Sequence, residues 1–532
     1  MTAATAAKGI GVGGAGTMGA GIAQLAAQAA GADTLLFDPV DGATDAALQR
    51  IADALERGVG RGRWSADEAG AARARLCAAP IIEGLAACDI VIEAAPERLD
   101  VKHELMARLA EVTPAVLASN TSSIPITAIA AGCPAPERVV GMHFFNPAPA
   151  MRLVEVIAGQ RTSPGALALA RATGTAMGKR VIDATDTPGF VVNRCNRPFG
   201  GEALRIVAER LADPALVDRI CRLGGGFRMG PFELMDLVGI DVNLAVAESF
   251  HALSYGEPRW RPSPLAARMV AAGLLGRKTG EGWYRYDGGP HRPEDTPPPE
   301  PAPVRHRGVA QIAGDTMLAA ELRGLAAAAG WDVVSPADVA PEAPASARAA
   351  GAGPDEAPIQ GGHRVLLCAE APLHALDPAG GAAGFHALPP LSTSPPTLVE
   401  LTRSETTADG TAAAAEAFFA SLRLHTAWVG DAPGLVLGRI VAQLVNEAAF
   451  ALGEGVAAAA DIDDGMVLGL NHPRGPLGWG DLIGLDHVLL ILDGLHDHYR
   501  EDRYRAAPRL RALVDEGRLG TMTGAGFLDH EG

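Results

Sequence analysis

The chain has 532 residues, 48% of them hydrophobic, a length that points to roughly three to four domains, each with a core of its own. Forty-five Lys and Arg against 62 Asp and Glu leave a net charge of −17, which argues against nucleic acid or an anionic membrane as a general partner. Six cysteines with no C-x-x-C pair exclude a disulfide frame or a zinc site and fit a reducing compartment, so no metal is expected. The first residues lack the basic-flanked apolar core of a signal peptide, and no run of 18 apolar residues suggests a membrane span. The expectation is a soluble, cytoplasmic protein.

Residues 8–28 predict a strand over Lys8–Gly13, a glycine turn and a helix. The pattern G-x-G-x-x-G fits Gly11, Gly13 and Gly16, or Gly14, Gly16 and Gly19. The second reading keeps the strand whole and sets Gly19 in the helix's first turn, where helix and strand must pack closely. Thr17 and Met18 then stand at a helix N-terminus, whose free amides and dipole favour a pyrophosphate. A glycine pattern alone could be a plain strand–helix turn. The next strand decides: it ends in Asp38, 19 residues past Gly19, near the ~20-residue spacing of an acid that holds a ribose 2′-hydroxyl. Pro39 and Val40 follow, with no arginine for a 2′-phosphate, so the cofactor reads as NAD.

Residues 43–80 read as two helices carrying Arg50, Arg57, Arg61 and Arg63, either a solvated face or a basic rim for an anionic substrate. Continuous apolar strands follow at 88–97, 115–126 and 137–157, the last broken by a proline loop before Leu153–Ile157. The fold class is α/β, an N-terminal Rossmann doubly wound parallel sheet with polar turns after Gly13, Ala94, Ala118 and Met142 facing one crevice. The NAD-binding domain spans 1–186 and an all-α domain spans 187–286. A linker at 287–304 holds seven prolines between 290 and 303 and reads as stiff and extended.

Past the linker the chain repeats itself. Leu153–Glu155 recurs as Leu398–Glu400, Asp186–Gly189 as Asp431–Gly434, Gly230 as Gly475 and Asp236 as Asp481, all displaced by 245 residues. Thr279 of T-G-E-G-W returns as Thr523 at a displacement of 244. The expectation is a degenerate Rossmann-like segment at 305–430 and a second helical domain at 431–532. There Ala313, Asp315 and Leu318 replace Gly14, Gly16 and Gly19, and 335–362 reads as loop. The same displacement puts Leu388 opposite His143 and Gly438 opposite Asn193, leaving Glu400 without a histidine and one active site per chain.

The glycine pattern, Ser119–Ser123, His143–Pro147, Glu155 twelve residues past the histidine, and Pro188–Arg194 together resemble the L-3-hydroxyacyl-CoA dehydrogenases. The resemblance covers about 8–285, with 431–528 as a repeat of the helical domain. The stretch 225–241 and the duplicated tail resemble the family's long form, which acts on 3-hydroxybutyryl-CoA or 3-hydroxyadipyl-CoA in phenylacetate degradation.

The resemblance implies NAD-dependent oxidation of an (S)-3-hydroxyacyl-CoA. His143 would be general base with Glu155 fixing its tautomer, a role that suits an imidazole near neutral pH. Ser122 and Asn193 would hold the substrate hydroxyl or thioester. Glu97, Lys102, Asn120, Ser122 and Asn146 would lie near the cofactor; Arg57 and Arg61, on the basic rim, are the substrate-binding candidates, and which arginines touch the CoA phosphates stays open. The plain alternatives are a turn serine, a helix-entry asparagine and a loop-stabilising Asn146. The motif E-A-A-P-E departs from the family's commoner form, which leaves the Glu97 and Lys102 contacts open. A related hydroxyacid or sugar-acid dehydrogenase, or an NAD-binding protein without catalysis, would share the Rossmann half. A homodimer or larger homo-oligomer is expected, the two helical copies packing within one chain as short relatives pack between chains.

Overall fold

The computed structural model describes residues 5–300, 307–312, 316–334, 356–359, 363–391 and 398–530. The chain divides into two compact units. One is Met1–Arg194 with Glu454–Leu470, the other Cys195–Gly453 with Asn471–Gly532.

The first unit is built on eight strands: β1 (Gly9–Gly13), β2 (Asp33–Phe37), β3 (Leu76–Ala78), β4 (Ile90–Glu93), β5 (Val116–Ser119), β6 (Val139–Phe144), β7 (Leu153–Ala158) and β8 (Arg180–Thr185). Their order, β3-β2-β1-β4-β5-β6-β7-β8, turns back at β1, so the crevice at the carboxyl ends of β1 and β4 is where a dinucleotide is expected. Apolar runs such as Ile90–Ile92 and Val139–Val140 are buried on both faces, as parallel strands covered by helices must be. Ile10, Val12, Ile22 and Leu25 join them in one core beneath the helix Thr17–Gln28.

The doubly wound parallel sheet carries one reversal, at the short strand after the proline loop. β7 runs antiparallel to β6, and β8 runs parallel to β7. A loop of eight residues (145–152) is too short for a crossover, so the chain can only fold back as a hairpin. Two strands lie outside the elements read from sequence. β3 is a three-residue edge, while β8 alternates buried and exposed positions and was legible as a strand.

In the second unit the helices Arg197–Ala208 and Leu437–Gly453 pack together. Arg439 is fully buried between them, held by Glu202, Glu209, Tyr499 and Tyr504. The two helical copies thus pack within one chain. The unit also holds the parallel pair β9 (Val309–Gln311) and β10 (Asp332–Val334). Its main sheet is β11 (Glu356–Ile359), β12 (His363–Leu367), β13 (Ala383–His386), β14 (Leu398–Thr402) and β15 (His425–Trp428), in that order.

The repeated motifs earn their place by hydrogen bonding to one another. Asp186 accepts from Ile126 and Thr127 at the start of a helix, as Asp431 does from Leu373 and His374. Asp236 accepts from the amides of Trp283 and Tyr284, and Asp481 from those of Phe527 and Leu528. The described part of the proline segment is docked: His291 and Arg292 bind Glu233, and Asp295 binds Arg222. Pro301, Pro303, Ala313, Asp315 and most of 335–362 lie outside the described residues. Among the described residues no helix is long and apolar enough to cross a membrane, and no side-chain cluster could hold a metal ion.

Candidate active site

The glycine turn has the geometry of a cradle. Gly14 sits at φ +111, where a Cβ would meet the Ala94 carbonyl oxygen at 2.6 Å, and a Cβ on Gly19 would stand 1.8 Å from the Gly14 oxygen. Both glycines are demanded by the fold itself. Gly16 is different: a Cβ there meets no atom within 4 Å, so no protein neighbour explains it and open space lies above the backbone. No side chain caps the helix that begins beside it, leaving the amides around Thr17 and Met18 to face an anion. Asp38 is tied to the same turn, accepting from Ala15 at 2.7 Å and from Val40 at 2.9 Å, while Arg50 donates to the Ala15 carbonyl. These residues fit the pyrophosphate and ribose of a dinucleotide.

The next two strand ends are knitted around buried charge. Glu93, fully buried at the end of β4, accepts from Lys102 (2.7 Å), the Ser119 hydroxyl (2.5 Å) and the Ala95 amide (2.6 Å). Lys102 is 1% exposed and also reaches Glu97 at 3.2 Å. Its charge is committed to two carboxylates, so it acts on any ligand by placing Glu97. Burial raises Glu97, but Lys102 and the hydroxyls of Thr121 and Ser123 outweigh it and hold the carboxyl below its usual range. Glu97 also accepts from the Ser122 and Ser123 amides, which fixes the serine turn and leaves the half-buried Ser122 hydroxyl without a partner among the described residues. Asn120 accepts from the Phe144 amide at 2.8 Å and locks this turn to the end of β6.

His143 and Glu155 are direct partners in the β6–β7 register. Nδ1 of His143 lies 2.5 Å from Glu155 Oε2. Glu155 is fully buried, and its other oxygen accepts from the Val191 and Val192 amides at 3.0 Å each. With all its donors on one side, the carboxylate can only present an acceptor to Nδ1, which places the Nδ1–H tautomer and leaves Nε2 as a base. Nε2 has no partner among the described residues, and Phe145 and Phe190 flank the ring at 4.5 and 5.9 Å. The amides reach Glu155 because Gly189 and Phe190 both take left-handed backbone, a conformation that costs a non-glycine residue about 1–2 kcal/mol. Asn193 follows in the short helix Val192–Cys195. Asn146 is exposed in the loop after β6, and Arg57 and Arg61 are exposed at the end of the helix Ala43–Gly60.

In the second half the expected equivalence of Leu388 with His143 is wrong. Sheet register pairs His386 with Glu400 as it pairs His143 with Glu155. The histidine precedes its glutamate by 14 residues there and by 12 in the first half, so the two added loop residues moved the true equivalent to a displacement of 243. Glu400 therefore does have a histidine beside it, but a disengaged one. His386 Nδ1 is 4.0 Å from Glu400, both its nitrogens are buried with no hydrogen-bond partner among the described residues, and its ring stacks on His487. Glu400 keeps the amides of Val436 and Leu437, the counterparts of Val191 and Val192. A Cβ on Gly438 would lie 2.4 Å from the His386 ring, so the imidazole fills the place where the first half carries Asn193.

Sequence reasoning missed Glu93 and the paired amides of Val191 and Val192. The acid inside the apolar run 88–97 was a signal for the first, since a buried carboxylate needs partners. Nothing in sequence announces a backbone donor.

Two family models match the chain: "3-hydroxyacyl-CoA dehydrogenase, NAD binding domain" over residues 9–187, and "3-hydroxyacyl-CoA dehydrogenase, C-terminal domain" over both 189–286 and 434–530. The chain is 36% identical to the 3-hydroxyadipyl-CoA dehydrogenase of Escherichia coli K12, over 95% of this chain and 97% of the relative. It is 41% identical to a probable 3-hydroxybutyryl-CoA dehydrogenase of Deinococcus radiodurans, over 52% of this chain and 99% of the relative. The crystal structure of 3-hydroxybutyryl-CoA dehydrogenase from Escherichia coli K12 superposes with a TM-score of 0.81 at 34% identity, covering 96% of this chain and 99% of that one.

Proposed function

Because this chain belongs to the 3-hydroxyacyl-CoA dehydrogenase family and is an NAD-dependent oxidoreductase, we propose that His143 and Glu155 carry its oxidation of (S)-3-hydroxyacyl-CoA to 3-oxoacyl-CoA. What supports the assignment above all is the His143–Glu155 contact of 2.5 Å with Nε2 left without a partner. Gly14, Gly16, Thr17, Met18, Gly19 and Asp38 would hold NAD at the end of β1, with Glu97 and Asn120 shaping the nicotinamide side and Asn146 at its edge. NAD bound there supplies the hydride acceptor. His143 Nε2 takes the proton of the substrate hydroxyl as the C3–H bond breaks, and the Glu155 carboxylate stabilises the imidazolium that results. Ser122 and Asn193 hydrogen-bond the hydroxyl or thioester oxygen and hold C3 in place, a positioning effect.

The substrates are the short 3-hydroxybutyryl-CoA and 3-hydroxyadipyl-CoA for which relatives are named, with Arg57 and Arg61 meeting the CoA phosphates. One working site per chain, a cytoplasmic setting and a homodimer or larger assembly complete the proposal. The test is NADH formation from 3-hydroxybutyryl-CoA, 3-hydroxyadipyl-CoA and the free 3-hydroxy acids. Activity on the thioesters alone is expected. Turnover of the free acids with none on thioesters would reject the substrate class.

A further inference from the structure

The helix Ala459–Leu470 belongs by sequence to the second helical copy, where it is the counterpart of Pro214–Gly225 at the displacement of 245. It nevertheless lies in the first unit, packed against β7 and β8. Its contact runs through two glycines. A Cβ on Gly465 would stand 3.1 Å from Val192 and 3.2 Å from Ile182, and one on Gly469 would stand 2.9 Å from Leu153 and 3.4 Å from Val192. These are the neighbours of the catalytic carboxylate: Leu153 and Ile182 flank Glu155 in the sheet, and Val192 supplies one of its two amide donors.

The same segment is anchored on either side. Arg180, which opens β8, binds Asp461 and Asp464 at 2.6 and 2.8 Å. The Thr185 amide, at the end of β8, donates to the Val456 carbonyl. Arg194, two residues past Val192 and 1% exposed, pairs with Glu454 at 2.8 Å. The arrangement recurs in mirror image in the second unit. Pro214–Gly225 packs on β14, with Gly224 (the counterpart of Gly469) set so that a Cβ would lie 3.0 Å from Leu437, whose amide serves Glu400. Each buried carboxylate is thus backed by a helix from the other half of the chain.

We propose that Glu454–Leu470 is a positioning element of the active site, pressing Val191 and Val192 onto Glu155 so that the carboxylate stays against His143. The second half of the chain then completes the one site that the first half carries. The inference rests on His143 acting as the base proposed above.

Gly469→Val tests it, because the added methyls push on Leu153 and Val192 without touching substrate or cofactor residues. The expected result is a kcat lower by on the order of 10- to 100-fold, as for a misplaced catalytic group, with NADH affinity unchanged. A loosened carboxylate stabilises the imidazolium less, so the acid limb of the kcat/KM profile should also move to lower pH, by about half a unit or more. Gly224→Val makes the same volume change at the mirrored place and should keep the parent kcat and acid limb, whatever it does to Tm. Should Gly469→Val fail to fold, Gly469→Ala combined with Arg180→Met gives the same reading. A folded Gly469 variant with the parent kcat and an unmoved limb would overturn the proposal, as would a Gly224→Val variant that moves the limb equally. Parent-rate turnover by His143→Gln would instead overturn the base assignment, a distinct failure.

Discussion

Replacing Glu155 by Gln changes one oxygen for an NH2 at the most constrained point of the site. The amide oxygen still accepts from Val191 and Val192, now at 3.0 Å each, so the NH2 is forced toward His143 Nδ1. The imidazole must then turn Nδ1 into an acceptor and carry its proton on Nε2, the nitrogen that has to be the base. The variant loses a charge-assisted hydrogen bond, about 1.5–3 kcal/mol, and adds the cost of the wrong tautomer. Together these place the barrier about 3–5 kcal/mol higher, or on the order of 10²–10⁴ in kcat, where the comparable change in a Ser-His-Asp triad costs about 10⁴. The assay is steady-state oxidation of 3-hydroxybutyryl-CoA at several pH values, with NADH affinity by fluorescence and Tm by calorimetry on the same sample. Affinity and Tm should stay near the parent's, because the fold keeps its acceptor. A kcat within twofold of the parent would refute the tautomer argument.

Gly19→Ala places a methyl 1.8 Å from the Gly14 oxygen, an overpacking of about 1–3 kcal/mol that should lower both Tm and NADH affinity. Gly16→Ala meets no protein atom and should leave Tm alone while weakening NADH by roughly tenfold or more; equal loss of Tm in both would mean that Gly16 is structural. Burial pushes the Glu400 carboxyl up to about 8 from an ordinary 4.5, so the folded state holds a proton that the unfolded chain releases. That contribution to stability is complete below about pH 4.5, shrinks as pH rises and is gone above about pH 8. Glu400→Gln keeps an acceptor for the amides and removes the titration, so its Tm should fall less than the parent's across this window; parallel Tm curves would show that Glu400 is ionised throughout.

The first half was readable because its signals are local. Gly14, Gly16, Gly19 and Asp38 sit at fixed offsets on one strand–turn–helix–strand path, and His143 and Glu155 are joined by a loop whose length alone brings them opposite each other. The reversal of β7 is legible in the shortness of that same loop, which can only turn the strand back onto β6. In the second half a constant displacement fails across a loop longer by two residues, so it points to Leu388 where the sheet pairs His386 with Glu400. Register in a sheet is set by pairing, not by counting. Contacts such as Gly469 on Val192 and Arg180 on Asp461 join positions nearly 300 residues apart in the chain, and no spacing rule encodes them.

The central claim is that His143 Nε2 is the base in a site whose cofactor cradle stands independently of it. Single-turnover NADH formation by His143→Gln, with NADH affinity measured on the same preparation, tests it most directly. The account predicts loss of turnover by on the order of 10³-fold or more with affinity unchanged. Turnover at the parent rate, or turnover and NADH binding lost together in a folded variant, would contradict it.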